Sequence, residues 1–221
     1  MIEAVVFDLD GVLVDSEPHW NEARRRMAAE RGIDWNQDDL RACMGVSTLT
    51  WAKYMIRRMN LDQTPDQVIA RIVGTVQALY ARQIPYLPGA IAAVDCAARF
   101  GPTGLASGSH RRLIDMVTAD APLRGKFKAV VCADEVPAGK PAPDVYLQAA
   151  RELGVPATNC VCLEDSANGI LAGKSAGMKV IAVPDHRLPP APEILQQADV
   201  ILPSLTEFNR DVILSLENRS R

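Results

Sequence analysis

The chain has 221 residues, of which 48% are apolar and 23% charged, with a formal net charge of −3. That length suits one α/β domain with an insertion, or two small domains, and the apolar share can fill a core. The slightly acidic balance argues against nucleic acid or an anionic membrane as partner, and no apolar stretch is long enough to span a bilayer. Cys43, Cys96, Cys132, Cys160 and Cys162 lack zinc-type spacing and read as buried free thiols of a reducing compartment. The opening Met1-Ile2-Glu3-Ala4 has no basic start of a secretion signal, so a cytoplasmic protein is expected.

The first element is a buried strand over residues 2–7, and directly behind it stands Asp8-Leu9-Asp10-Gly11. On extended backbone, residues i and i+2 share a face, which sets the two carboxylates side by side. Like charges that close disfavour joint ionisation, and a cation between them removes the conflict. Gly11 lets the chain turn sharply. A strand end followed by an Asp-Gly turn is the plain alternative.

No convincing strand follows between about residues 17 and 87. Trp20, Ala23, Met27 and Ala28 share one helical face, and Arg24-Arg25-Arg26 on the same stretch reads as a solvated face. Residues 37–43 and 49–59 supply two further helices. Ile69, Ile72, Val73, Val76, Leu79 and Tyr80 form a longer stripe, opened by Thr64-Pro65-Asp66-Gln67 with Thr as N-cap, Pro in the first turn and Gln closing a capping box. Pro88-Gly89 marks the return. A small helical module is thus inserted after the first strand.

Beyond it, apolar runs at 103–106, 129–132, 160–163 and 179–183, with a weaker one at 199–202, alternate with helical patterns at 90–99, 111–117, 144–153 and 167–176. That alternation predicts a parallel sheet covered on both faces, with the active site outside the carboxyl ends of its strands. The proline-rich stretch 184–192 reads as a surface loop.

Three more signals stand at or beyond predicted strand ends. Ser107-Gly108-Ser109 offers a hydroxyl and free amides that suit phosphate oxygens, or is a simple Gly/Ser turn. Lys140, in Gly139-Lys140-Pro141-Ala142-Pro143-Asp144, is a point charge able to pair with phosphate and damp carboxylate repulsion; alone it reads as a solvated lysine in a turn. Glu164-Asp165-Ser166 adds acid that suits a hard cation, or supplies an N-cap for the next helix.

Together these residues resemble the haloacid dehalogenase superfamily, over essentially the whole chain. Asp8-Leu9-Asp10-Gly11 looks like its first motif, Ser107 falls at the second, Lys140 at the third and Glu164-Asp165 at the fourth. The resemblance implies an α/β fold, a Rossmann-like parallel-sheet core of residues 1–15 and 89–221, and an all-helical cap of the four-helix-bundle type over 16–88. It implies an aspartyl nucleophile at Asp8 and acid–base work at Asp10. Mg²⁺ would be held by Asp8, the Asp10 backbone carbonyl, Asp165 and Glu164, the last directly or through water. Ser107, Gly108, Ser109 and Lys140 would cradle phosphate.

Asp15-Ser16-Glu17-Pro18, Leu105-Ala106-Ser107 and the run 163–169 look most like sugar-phosphate phosphatases of the hexitol-phosphate and 2-deoxyglucose-6-phosphate type. The resemblance therefore implies a hydrolase of a small phosphorylated metabolite, with no nucleic-acid or membrane partner and a monomer as the simple expectation. Asp10 argues against carbon–halogen cleavage, and Ala42 stands where phosphonate-cleaving relatives carry a Schiff-base lysine. Hexose-phosphate mutases share Gly45-Val46-Ser47 but carry Arg where this chain has Thr48; Lys53 keeps that alternative open. A silent binding protein on the same fold is the third reading. Glu17, His19, Gly45, Val46, Ser47 and Thr48 are the candidate substrate contacts. His110, which follows the Ser107-Gly108-Ser109 loop, either touches substrate or has no functional role.

Overall fold

The computed structural model describes residues 1–44, 46–187 and 189–218. The chain forms two compact units, one of Met1–Asp15 with Tyr86–Arg221 and one of Ser16–Pro85. After β1 (Ala4–Phe7) the chain leaves the first unit for α1 (Glu17–Ala29), α2 (Gln37–Cys43), α3 (Thr48–Met59) and α4 (Pro65–Tyr80). It returns through α5 (Ala90–Phe100), β2 (Thr103–Ser107), α6 (Arg111–Ala119), β3 (Ala129–Cys132), α7 (Asp144–Leu153), β4 (Cys160–Glu164) and α8 (Ala167–Ser175). β5 (Lys179–Ala182), α9 (Pro192–Leu195), β6 (Val200–Ile201) and α10 (Arg210–Asn218) complete it.

The strands form one parallel sheet in the order β3-β2-β1-β4-β5-β6. β1 is central, and the chain reverses direction across the sheet there, which opens a crevice at the carboxyl ends of its strands. Every residue of β1, β2 and β4 is buried, as a sheet covered on both faces requires. Strand alternation divides the core. Ala4 and Val6 of β1, with Cys160 and Cys162 of β4 and Ala106 of β2, pack against Val145, Tyr146 and Ala149 of α7 and Ile170 of α8. Phe7 points to the opposite face, where its ring meets Phe127 and Phe208 edge-on at 6.3 and 6.1 Å between centres.

In the helical unit, α3 and α1 both pack on α4. The capping box that opens α4 is complete: Gln67 N–H donates to Thr64 Oγ1 (3.3 Å) and Thr64 N–H to Gln67 Oε1 (2.9 Å). Its buried stripe is Val68, Ile72, Val73, Val76 and Tyr80, so the face is rotated slightly from the sequence expectation and Ile69 is only half-buried. Thr64→Ala is expected to cost about 1 kcal/mol, read as a Tm lowered by roughly 2–4 °C.

One expectation fails here. Arg25 and Arg26 are exposed, but Arg24 is buried, at 3% exposure. Its guanidinium carbon lies 5.6 Å from the ring centres of both Trp20 and Trp51, and its Nη1 pairs with Glu17 at 3.1 Å. Two aromatic faces and a carboxylate offset the loss of water that would otherwise keep an arginine at the surface.

Asp39 is a second buried charge of this unit. It accepts from Tyr54 Oη (2.6 Å), Arg58 Nε (2.7 Å) and the Asn36 amide (3.0 Å). Burial alone would raise its carboxyl, but these donors outweigh it and hold the group below its ordinary value. A depressed folded-state pKa stabilises above the unfolded value of about 4 and loses that contribution as pH falls through the folded one. Melting temperature should therefore drop more steeply below about pH 4 in the wild type than in Asp39→Asn; parallel curves would refute this.

The tail of the chain differs from expectation. The weak last strand shortens to Val200–Ile201, and α9 and α10 were not foreseen. α10 is held by Ile213 and Leu216, which are fully buried. Within the proline-rich stretch, Leu188 lies outside the described residues. No described helix is long and apolar enough to cross a membrane.

Candidate active site

The parity of β1 carries past its end. Asp8 follows Ala4 and Val6 toward α7, and the in-register pairing Val6↔Cys162 and Phe7↔Leu163 brings Glu164 beside it. The Asp8 amide donates to Leu163 O at 3.0 Å, which fixes the strand end. Lys140 enters from the loop between β3 and α7. Its Nζ donates to Asp8 Oδ1 (2.5 Å), Glu164 Oε1 (2.5 Å) and Ala106 O (3.1 Å), so all three ammonium protons are used. Asp8, Glu164 and Asp165 each offer an oxygen, and these atoms lie within 4.8 Å of one another.

Glu164 is wholly buried. Besides Lys140, its Oε1 accepts from the Tyr146 hydroxyl and its Oε2 from Ser166 Oγ at 3.3 Å. Ser166 also caps α8, accepting from the Gly169 amide at 3.1 Å. Two glycines make room for the acids. Gly11 turns at φ +76°, and a Cβ there would overlap the Asp165 carboxylate; a Cβ on Gly169 would overlap that of Glu164.

Asp10 does not share this carboxylate group through its side chain. β1 ends at Phe7, so the alternation that would align Asp8 and Asp10 no longer applies. Asp10 instead lies in the turn after the strand, where Ser107 Oγ donates to its Oδ2 at 3.3 Å. Its Oδ1 is buried with no hydrogen-bond partner among the described residues. Ser107 Oγ in turn accepts from the Ser109 amide at 3.0 Å, and Gly108 stands exposed at the apex. His110 Nδ1 accepts from the Arg112 amide at 3.3 Å and caps α6, which gives it a structural task.

The charges conflict as they stand. Burial, only partly opposed by Lys140, pushes the Asp8 carboxyl up to about 8, with Glu164 and Asp10 adding to the rise. Burial, then Glu164 and Asp8, lifts Asp165 well above the usual carboxylate range. Burial works to lower Lys140, but Asp8 and Glu164 outweigh it and keep its ammonium charged. Acidic oxygens outnumber the one cation they share, and all the donors are hard. That donor set fits a divalent cation of the magnesium type.

The other candidates belong to the helical unit. Glu17 is engaged with Arg24, and the His19 ring lies 5.5 Å from that of Tyr80. Ser47 caps α3 by accepting from the Thr50 amide at 3.3 Å, Thr48 begins that helix, and Val46 is exposed. Gly45 lies outside the described residues. Tyr146 was missed by sequence reasoning. The signal was its phenol on the buried stripe of α7, among Val145, Ala149 and Ala150, six residues after Lys140.

A parallel sheet with this strand order is a doubly wound α/β scaffold, in which ligands bind at the carboxyl ends of the strands, where the acids and Lys140 stand. The chain belongs to the haloacid dehalogenase-like hydrolase family, whose model matches residues 2–177. Hexitol phosphatase B of Escherichia coli strain K12 is 36% identical over 220 residues, spanning 96% of this chain and 97% of that protein. Among solved structures, CbbY of Rhodobacter sphaeroides in complex with phosphate is similar with a TM-score of 0.81 at 28% identity, over 94% of this chain and 96% of that one. β-Phosphoglucomutase of Clostridium difficile gives a TM-score of 0.81 at 25% identity, over 100% and 99%.

Proposed function

We propose that this protein is a Mg²⁺-dependent phosphomonoester hydrolase of small phosphorylated metabolites, sugar phosphates first, working through an aspartyl-phosphate. The observation that carries the reading is the buried carboxylate group of Asp8, Glu164 and Asp165, joined to Lys140 at the sheet's carboxyl edge. In this reading, residues 1–15 and 89–221 are the catalytic core and 16–88 the cap. Glu17, His19 and residues 45–48 are the proposed determinants of substrate choice.

Asp8 attacks phosphorus with a carboxylate oxygen, forming the acyl phosphate as the ester P–O bond breaks. Asp10 gives its proton to the leaving oxygen, then takes one from the water that attacks the acyl phosphate. Phosphate departs and Asp8 is regenerated. The Ser107 hydroxyl, donating to Asp10 Oδ2, leaves the partnerless Oδ1 to carry that proton. The Gly108 amide would bind a non-bridging oxygen, and Ser107, the Ser109 amide and Lys140 would join it by exchanging a present partner for phosphate, Lys140 also balancing its charge. Asp8, Asp165, the Asp10 carbonyl and Glu164 would hold Mg²⁺, which when bound neutralises charge on nucleophile and phosphate.

The test is phosphate release over a panel of phosphorylated metabolites with and without Mg²⁺. Metal-dependent release led by a hexitol or hexose phosphate is expected. No release from any member would sink the hydrolase reading. The likeness to β-phosphoglucomutase keeps one second reading: hexose 6-phosphate formed from the 1-phosphate would make the protein a mutase.

A further inference from the structure

We infer that Tyr146 is a positioning residue that holds Glu164 and Lys140, and through them Asp8, in the arrangement needed for metal binding; this rests on the hydrolase reading above. Tyr146 touches both groups. Its hydroxyl donates to Glu164 Oε1, and its ring centre lies 5.0 Å from Lys140 Nζ, within cation–π range. The two groups it touches are those that meet each other and Asp8 through the Lys140 ammonium.

The mobility of the parts decides which one positions the others. Glu164 and Lys140 have long side chains with several free torsions, and Lys140 sits on a proline-rich loop. Tyr146 has two torsions and stands in the first turn of α7, wholly buried among Val6, Cys162 and Ala149 in the packed core of the sheet. It is the fixed peg, and the flexible side chains lean on it. Burying a phenol hydroxyl is unfavourable unless it is hydrogen-bonded, and a phenylalanine would fill the same space. The bond to Glu164 is therefore what the hydroxyl contributes.

The rest of the cage around Glu164 agrees. Ser166 fixes the other oxygen, and Gly169 leaves space only for the carboxylate itself. Losing the Tyr146 bond leaves Glu164 Oε1 to the mobile Lys140 ammonium alone, so that oxygen is less firmly aimed at the group that includes Asp8 and Asp165. Groups that orient metal ligands in this way typically account for about 10- to 100-fold in metal affinity.

The experiment is a calorimetric Mg²⁺ titration of the substrate-free full chain, wild type against Tyr146→Phe, with melting curves of both in the absence of metal. The phenylalanine variant keeps the ring and the packing, so its metal-free Tm should stay within about 4 °C of wild type, the effect of one hydrogen bond. Its Mg²⁺ Kd should be about tenfold higher, with kcat lowered and substrate KM unchanged. An equal Mg²⁺ Kd in the two proteins would overturn the inference, since a purely structural tyrosine would lower Tm and leave affinity alone. A Tyr146→Phe protein that does not fold without metal would also overturn it, since the hydroxyl would then serve the stability of the fold and not the placing of Glu164. A wild type that binds no Mg²⁺ and releases no phosphate would sink the hydrolase reading as well. A wild type that does both, beside an unchanged variant, sinks only the role of Tyr146.

Discussion

Replacing Asp8 by Asn will abolish phosphate release, by about 10⁴-fold or more, without unfolding the protein. The amide keeps the shape of the carboxylate and can still accept from Lys140, but it cannot attack phosphorus. Asp8 shares its surroundings with Glu164, Asp165 and Asp10, and their burial and mutual repulsion already push its carboxyl up to about 8. A carboxyl held that high gains nothing for the fold from ionising, so a neutral amide in its place should leave the metal-free Tm level or raise it. The two readouts therefore move in different directions, which separates loss of chemistry from loss of fold. Rates within about tenfold of wild type would show that Asp8 is not the nucleophile, because a missing nucleophile is not rescued by binding alone.

Lys140→Met should do the opposite, damaging the fold as well as the activity. The ammonium is shared by Asp8 and Glu164 at 2.5 Å each, and both carboxylates are nearly or wholly buried. Taking away one partner of a buried ion pair leaves uncompensated charge and costs about 3–5 kcal/mol. For a chain of this size that is a Tm lowered by roughly 6–20 °C. Methionine fills the volume, so the loss reports charge rather than a cavity. Added Mg²⁺ should return part of the lost Tm, because a second cation can take up the exposed repulsion. Lys140→Arg should recover less than its charge suggests. A planar guanidinium cannot direct donors at Asp8, Glu164 and the Ala106 carbonyl as a compact ammonium does. A Lys140→Met protein melting within about 2 °C of wild type would mean that the pairing contributes little.

The sequence by itself determined the order of the parts. Near-continuous apolar runs of strand length, spaced by helical stripes, dictated a parallel sheet, because only a strand buried on both faces tolerates such a run. Thr64-Pro65-Asp66-Gln67 dictated where α4 begins, since capping is a local interaction completed within four residues. The acids at the ends of β1 and β4, the serines at the end of β2 and Lys140 before α7 were likewise visible as residue types at element ends. Other features depended on groups distant in sequence. The burial of Arg24 needed Trp51, and the length of the last strand depended on what β5 could pair with it. The pairing of Asp8 with Glu164 needed the in-register neighbours β1 and β4, 156 residues apart along the chain. The end of β1 at Phe7 left the Asp10 side chain in the turn, where it meets Ser107. Tyr146 gained its place only when α7 packed on that face of the sheet. Periodicity and capping act over a few residues and can be read along the chain, whereas charge compensation inside a core is set by which side chains the packed fold brings within a few ångströms of one another.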